Sequence, residues 1–336
     1  MKKYVKSCQV AVSSLVLLVA YGIQSSYGQQ DLIQENSIVG VRNAYSQPNI
    51  HSKRSGTLLE MVTLAGVAYR PILQAEKKLT DKKLYELTAE TSIFATRLPF
   101  GFLAVEEHSE APVVNVCLRG TENAGDVFTD VNMGLVPLGE IFGGDGKSVL
   151  VHRGFQDTAM SALSSLSTQL DAVRQTVGEA RFKDIKVRLT GHSLGGALSI
   201  LVGLWLQQNP VYAPNGVESI VTFGMPAVGD QALIQLVDRV LPDATHVFQP
   251  MDLVAQLKLM DYQYPMHRFE VPSRGLFNET NPHAIAGYEI SLRAKLGNKP
   301  LQRGALVQIL DYPLVNKPVI ATVNHLGQQG LNYYRL

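Results

Sequence analysis

One stretch constrains this chain more than any other. Residues 186–197 read Lys-Val-Arg-Leu-Thr-Gly-His-Ser-Leu-Gly-Gly-Ala. β-type residues lead into Gly191-His192-Ser193-Leu194-Gly195, and an apolar helical run over 194–208 follows. A G-x-S-x-G sequence between a strand and a helix is the pattern of a nucleophile elbow. A serine hydroxyl is a weak nucleophile and must be presented bare to a base and to a substrate. A sharp turn does this at the cost of backbone strain on Ser193, and Gly191 and Gly195 remove the side chains that would collide inside it. Gly196 and Ala197 let the helix approach the strand. The N–H of Leu194 heads that helix, where unpaired donors and the helix dipole favour an oxyanion. His192 is expected to point away from the nucleophile, in a packing or hydrogen-bonding role.

The five-residue pattern is short, so its surroundings must carry the assignment. They describe an alternation of strands and helices. Strands are expected at 100–106, 113–118, 185–190, 217–223, 245–248 and 266–271. Helices are expected at 57–69, 81–90, 154–177, 194–208, 229–240 and 285–296, with weakly helical sequence at 122–132 and a glycine-rich loop at 143–146. This order predicts an α/β fold with a mostly parallel sheet flanked by helices on both faces.

A serine nucleophile needs a histidine base and a carboxylate to orient it, and on such sheets the order along the chain is Ser, Asp, His. Asp252 follows a short strand through the turn Gln249-Pro250-Met251. Asp230 and Asp261 compete with it, but Asp230 stands where a helix cap is expected. Three histidines come later: His267 in a strand-like stretch, His283 in the loop before a helix, and His325 in Asn324-His325-Leu326-Gly327. The loop setting favours His283, and His325 stays open as an alternative base.

The chain begins with Lys2, Lys3 and Lys6, a short apolar core at 10–20, and small residues at Ser26 and Gly28. This is the pattern of a signal peptide over residues 1–28, with export to the periplasm or the outside. The apolar core is short for a bilayer span. Its removal takes three lysines and no acid, so the formal charge falls from +1 to −2. No transmembrane segment is expected in the mature chain. Neither the charge nor any basic-aromatic run points to nucleic acid. Of the two cysteines, Cys8 leaves with the leader, so Cys117 has no partner for an internal disulfide. No CxxC, HExxH or His-rich tract suggests a metal, and no cofactor is expected. Residues 29–55 are polar and read as a leader, disordered in part. The main domain is expected over 56–296, and 297–336 form an extension of unassigned role.

These stretches together resemble the class 3 (fungal-type) lipase family. The resemblance rests on Leu64-Ala65-Gly66-Val67-Ala68-Tyr69, Leu118-Arg119-Gly120-Thr121, Val151-His152-Arg153-Gly154-Phe155, the elbow, Thr222-Phe223-Gly224-Met225-Pro226-Ala227-Val228-Gly229-Asp230, Asp252, and His283 to Tyr288. They occur in the family's order, across roughly residues 57–296. The resemblance implies an α/β-hydrolase fold, Ser193, Asp252 and His283 as a triad, and Thr121 beside Leu194 in the oxyanion hole. It also implies a lid after Thr121, carrying Val127, Phe128 and Val131, over a lipid ester substrate held at a lipid–water interface. The chain departs from the family in the inserted Gly287, in its lack of disulfides and in its C-terminal extension. The expected activity is cleavage of carboxylic esters of lipids through an acyl-enzyme. A phospholipase A1 or acyltransferase using the same triad, and an inactive lipid-binding module, are the alternatives.

Overall fold

A computed structural model of the chain describes residues 52–90, 97–120, 134–256, 261–265, 267–272 and 282–297. The signal-peptide assignment, residues 29–51 of the leader, Thr121, the lid residues Val127, Phe128 and Val131, and the extension with His325 all lie outside these.

Helix α1 (Ser52–Val67) opens the described chain, within the stretch expected as polar leader. A second helix, α2 (Ile72–Lys78), starts directly after Pro71. Strands β1 (Lys83–Glu90), β2 (Arg97–Glu106) and β3 (Val113–Leu118) follow as an antiparallel meander. Then come β4 (Leu135–Pro137) and β5 (Leu150–His152), which pair with each other, and helices α3 (Arg153–Val177) and α4 (Glu179–Phe182). Strand β6 (Lys186–His192) runs into helix α5 (Leu194–Gln208). Strand β7 (Val217–Phe223), helix α6 (Gln231–Val240), strands β8 (Ala244–Phe248) and β9 (Arg268–Glu270), and helix α7 (Ile285–Lys295) complete the order.

The sheet has the spatial order β1-β2-β3-β6-β7-β8-β9. From β3 onward every pair is parallel. Such strands are covered on both faces, and β3 shows it, since all six of its residues are buried. Val114, Val116 and Leu118 enter the core shared with α3, α5 and α6, whereas Cys117 enters the core shared with α1 and α7. Helix α3 buries Phe155, Ala159, Ala162, Leu166, Leu170, Val173 and Val177, the three-and-four spacing of a one-sided amphipathic helix. Helix α5 differs. It is buried continuously from Gly195 to Leu206, as a helix with apolar residues on all sides must be.

The expected helix over 81–90 is instead the edge strand β1. Leucines at 84 and 87 are compatible with helical spacing, but the neighbours decide otherwise. Tyr85, Leu87 and Ala89 face the α3 side, and Leu84 faces the opposite core, an alternation of period two. Pairing with β2 and the bond from Thr88 N–H to Ser165 Oγ of α3 (3.0 Å) fix that register.

Candidate active site

The carboxyl ends of β6, β7 and β8 lie side by side, where open α/β sheets place their ligands. The turn after β6 carries Ser193, at φ 57° and ψ −128°. It is the sole positive-φ residue other than glycine among the described residues. That conformation is costly for a residue with a Cβ and persists only when its surroundings over-determine it. They do so here. Ser193 N–H donates to Phe223 O of β7 (2.9 Å), and Ser193 O accepts from Gly196 N–H (2.9 Å). A Cβ on Gly191 would stand 2.2 Å from Gly195 O, and one on Gly195 would stand 2.3 Å from Leu118 O. Both glycines are therefore required by close backbone approach. Leu194 is the first residue of α5, so its N–H has no helical carbonyl to bond.

Asp252 is brought in by the turn after β8 and is fully buried. Its Oδ1 accepts from Val254 N–H (2.9 Å) and Ala255 N–H (3.4 Å). Its Oδ2 accepts from His283 Nδ1 (2.8 Å) and from the Tyr288 hydroxyl (2.5 Å). His283 stands just before α7, 7 % exposed, with Nε2 2.8 Å from Ser193 Oγ. The carboxylate on Nδ1 fixes the proton there, which leaves Nε2 bare to accept from the serine. Against Asp252 and His283 lies the bare Cα of Gly224, the residue after β7, at φ 57°. A Cβ there would stand 2.8 Å from Asp252 Oδ2 and 3.2 Å from His283 Cε1.

The structure thus brings Ser193, His283 and Asp252 into one hydrogen-bonded line. The competitors lie elsewhere. Asp230 caps α6, accepting from Leu233 N–H (2.9 Å). His267 is exposed, and its carbonyl accepts from His246 N–H. Asp261 is exposed in a turn.

Sequence reasoning assigned no role to Tyr288. Its hydroxyl donates to Asp252 and accepts from Gln249 N–H (3.2 Å). Burial first, and then the Asp252 charge, push its pKa well above the ordinary tyrosine value, so it stays a donor. Its one signal in the sequence is a place five residues after His283, a helical turn into α7. His192 turns its ring toward the backbone of His283, with Nε2 2.7 Å from His283 O. Burial first, and the neighbouring His283 second, hold it well below the ordinary histidine pKa.

Among the described residues no three His, Cys, Asp or Glu side chains are grouped to hold a metal, and no helix is long and apolar enough to cross a membrane. Cys117 is a buried free thiol.

Comparison with known proteins gives the arrangement its relatives. The model of the family described as Lipase (class 3) matches residues 115–262. The chain is similar to the secreted mono- and diacylglycerol lipase LIP4 of Malassezia restricta, 28 % identical over 39 % of this chain and 42 % of that one. It is also similar to the chloroplastic phospholipase A1 PLIP1 of Arabidopsis thaliana, 34 % identical over 26 % of this chain and 13 % of that one. These matches span less than half the length of those relatives. Among solved structures, the lipase from Rhizopus microsporus var. chinensis superimposes with a TM-score of 0.52 at 25 % identity, covering 66 % of this chain and 75 % of that one.

Proposed function

We propose that this chain, whose residues 115–262 match the model of the class 3 lipase family and which has the α/β-hydrolase fold, hydrolyses carboxylic esters of lipids by a Ser193–His283–Asp252 triad. The observation that carries the reading is the continuous line from Ser193 Oγ to His283 Nε2 and from His283 Nδ1 to Asp252 Oδ2, 2.8 Å at each link. In this reading Ser193 attacks the ester carbonyl as His283 takes its proton. Asp252 holds the imidazole in the required tautomer and stabilises the imidazolium. His283 then returns the proton to the leaving alcohol, and an acyl group stays on Ser193. Water, activated by the same histidine, releases the acid.

The N–H of Leu194 heads α5 toward the developing oxyanion, with Thr121 as the second donor. One such donor is worth about 3 kcal/mol of barrier. Residues 122–138 form the lid of this reading, with Val127, Phe128 and Val131 on its apolar side. The substrate comes from a lipid–water interface. Export through the leader over 1–28 fits relatives whose names describe secreted lipases. The local match to a plant phospholipase A1 supports a second reading, in which the same triad cleaves a phospholipid ester.

The test is hydrolysis by the purified protein and by Ser193→Ala of p-nitrophenyl esters of short and long chain, of triacylglycerol and of phosphatidylcholine. Activity lost in Ser193→Ala supports the hydrolase, and the ranking of glyceride against phospholipid chooses between the two readings. A folded protein inactive on all of these would move the assignment to a lipid-binding module.

A further inference from the structure

The residue before the nucleophile is itself built into the site. His192 is 4 % exposed, and both of its ring nitrogens have partners. Nε2 lies 2.7 Å from the backbone carbonyl of His283, and Nδ1 lies 2.7 Å from the hydroxyl of Tyr69. The rings of His192 and His283 are 4.6 Å apart, tilted by 38°. Tyr69 lies just past the end of α1, on a different element from either histidine. A Cβ on Gly120, beyond β3, would stand 2.2 Å from the Tyr69 hydroxyl and 2.7 Å from His192 O. The three elements therefore meet with no spare volume.

We propose that His192 and Tyr69 are positioning residues, a clamp that ties the backbone of the base His283 to the end of the strand that leads into Ser193. The inference rests on the triad reading above.

The proton positions follow from elementary chemistry. A carbonyl oxygen only accepts, so Nε2 of His192 carries the hydrogen. A neutral imidazole has one N–H, so Nδ1 is bare and the Tyr69 hydroxyl donates to it. Burial holds the ring neutral, which matters because an imidazolium forms on His283 beside it during the reaction. The His283 carbonyl therefore sets the tautomer of His192, and the Tyr69 hydroxyl, donating to the bare Nδ1, holds the ring at the angle that aims its N–H at that carbonyl. The clamp starts from the residue bonded to Ser193, so one short connection sets the distance between nucleophile and base. Helix and sheet ladders provide no such link, because His283 lies outside both.

Three variants separate positioning from bulk. His192→Met fills the space without a donor, His192→Gln restores an N–H toward the His283 carbonyl, and Tyr69→Phe removes only the outer hydroxyl. The readouts are kcat and KM on a p-nitrophenyl ester, the rate of Ser193 labelling by a fluorophosphonate, and thermal unfolding. Misplacing a reacting group by a fraction of an ångström costs on the order of 10- to 100-fold. His192→Met is expected to lower kcat and the labelling rate by that factor, with KM unchanged. His192→Gln is expected to recover most of the loss, and Tyr69→Phe to lose a few-fold. ¹⁵N NMR of labelled histidine is expected to show His192 protonated at Nε2 in the parent and in Tyr69→Phe, because the His283 carbonyl is present in both.

Parent-like kcat in His192→Met, or a His192→Gln no better than His192→Met, would overturn the clamp. If His192→Met does not fold, the tautomer of the parent decides, and a His192 protonated at Nδ1 rather than Nε2 overturns the clamp. A parent protein that is folded but not labelled at Ser193 would instead sink the hydrolase reading. His192 would still show its tautomer by NMR in that case, so the two failures are distinguishable.

Discussion

The nucleophile and the acid–base pair are held by opposite means. Ser193 is held by backbone: a strained turn, two glycines packed against carbonyls, and a bond from its own N–H to β7. Everything it needs lies within about five residues of sequence and the strands alongside. Asp252 and His283 are held largely by side chains and loop amides from distant parts of the chain. Tyr288 and the amides of Val254 and Ala255 converge on the carboxylate, and His192 reaches the carbonyl behind the base. The difference teaches which changes should break the fold and which should break only the chemistry.

The largest expected effect removes the reacting atom and leaves both supports intact. Ser193→Ala should lower kcat by about 10⁶-fold while its thermal midpoint stays at or above that of the parent, since the turn loses no backbone bond. A midpoint that falls sharply would mean the hydroxyl is structural.

Gly191→Ala attacks the backbone support. Its Cβ would enter the space of Gly195 O, 2.2 Å away, and neither backbone can yield cheaply. Urea unfolding should show a loss of about 3 kcal/mol, the scale of overpacking in a tight interior. A variant as stable as the parent would show that the elbow relaxes, and the backbone half of the comparison would fail.

Gly224→Ala tests the other half from the same direction. It places a methyl against Asp252 and His283 at a positive φ, so kcat should fall by about 100-fold, the cost of a roughly 1 Å misplacement. Tyr288→Phe is milder. It removes one donor from Asp252 and should lower kcat about tenfold, which is the ~1.4 kcal/mol scale of one hydrogen bond, with little change in KM. Equal losses of stability and kcat in these two variants would mean that the acid–base side is fold-bearing too.

The smallest effect concerns pH. His246 on β8 is buried beside Thr222, and burial, with help from Arg268 and His267, lowers its pKa from 6.5 to about 3. The unfolded chain protonates this histidine below about 6.5 and the folded chain does so only near 3, so the unfolded state binds more protons in between. Stability should therefore fall as pH drops through that window. His246→Gln should flatten the slope, as read from urea midpoints between pH 7 and 4. An unchanged slope would assign it to other groups.

The same division explains what was legible in the sequence. Helix α5 and strand β7 follow from local pattern and match their expected spans, because apolar periodicity and the elbow's glycines speak within one window. Strand β1 does not. Its two-fold alternation becomes decisive only against α3 and β2, so a helix was the natural expectation for residues 81–90. The pairing of Asp252 with His283 was legible through chain order, but the work of Tyr288, Tyr69 and His192 was not. Hydrogen bonds that span up to 123 positions in sequence leave no local pattern. Only the resemblance to a family drew attention to the stretches that contain them.

The central claim is that Ser193 is a nucleophile activated by His283. It is tested most directly by treating the purified protein with a fluorophosphonate and locating the adduct by peptide mass spectrometry. The account predicts one adduct, on the peptide containing Ser193, absent from Ser193→Ala and formed far more slowly in His283→Ala. A folded protein that takes up no adduct, or takes it up at another serine, would contradict it.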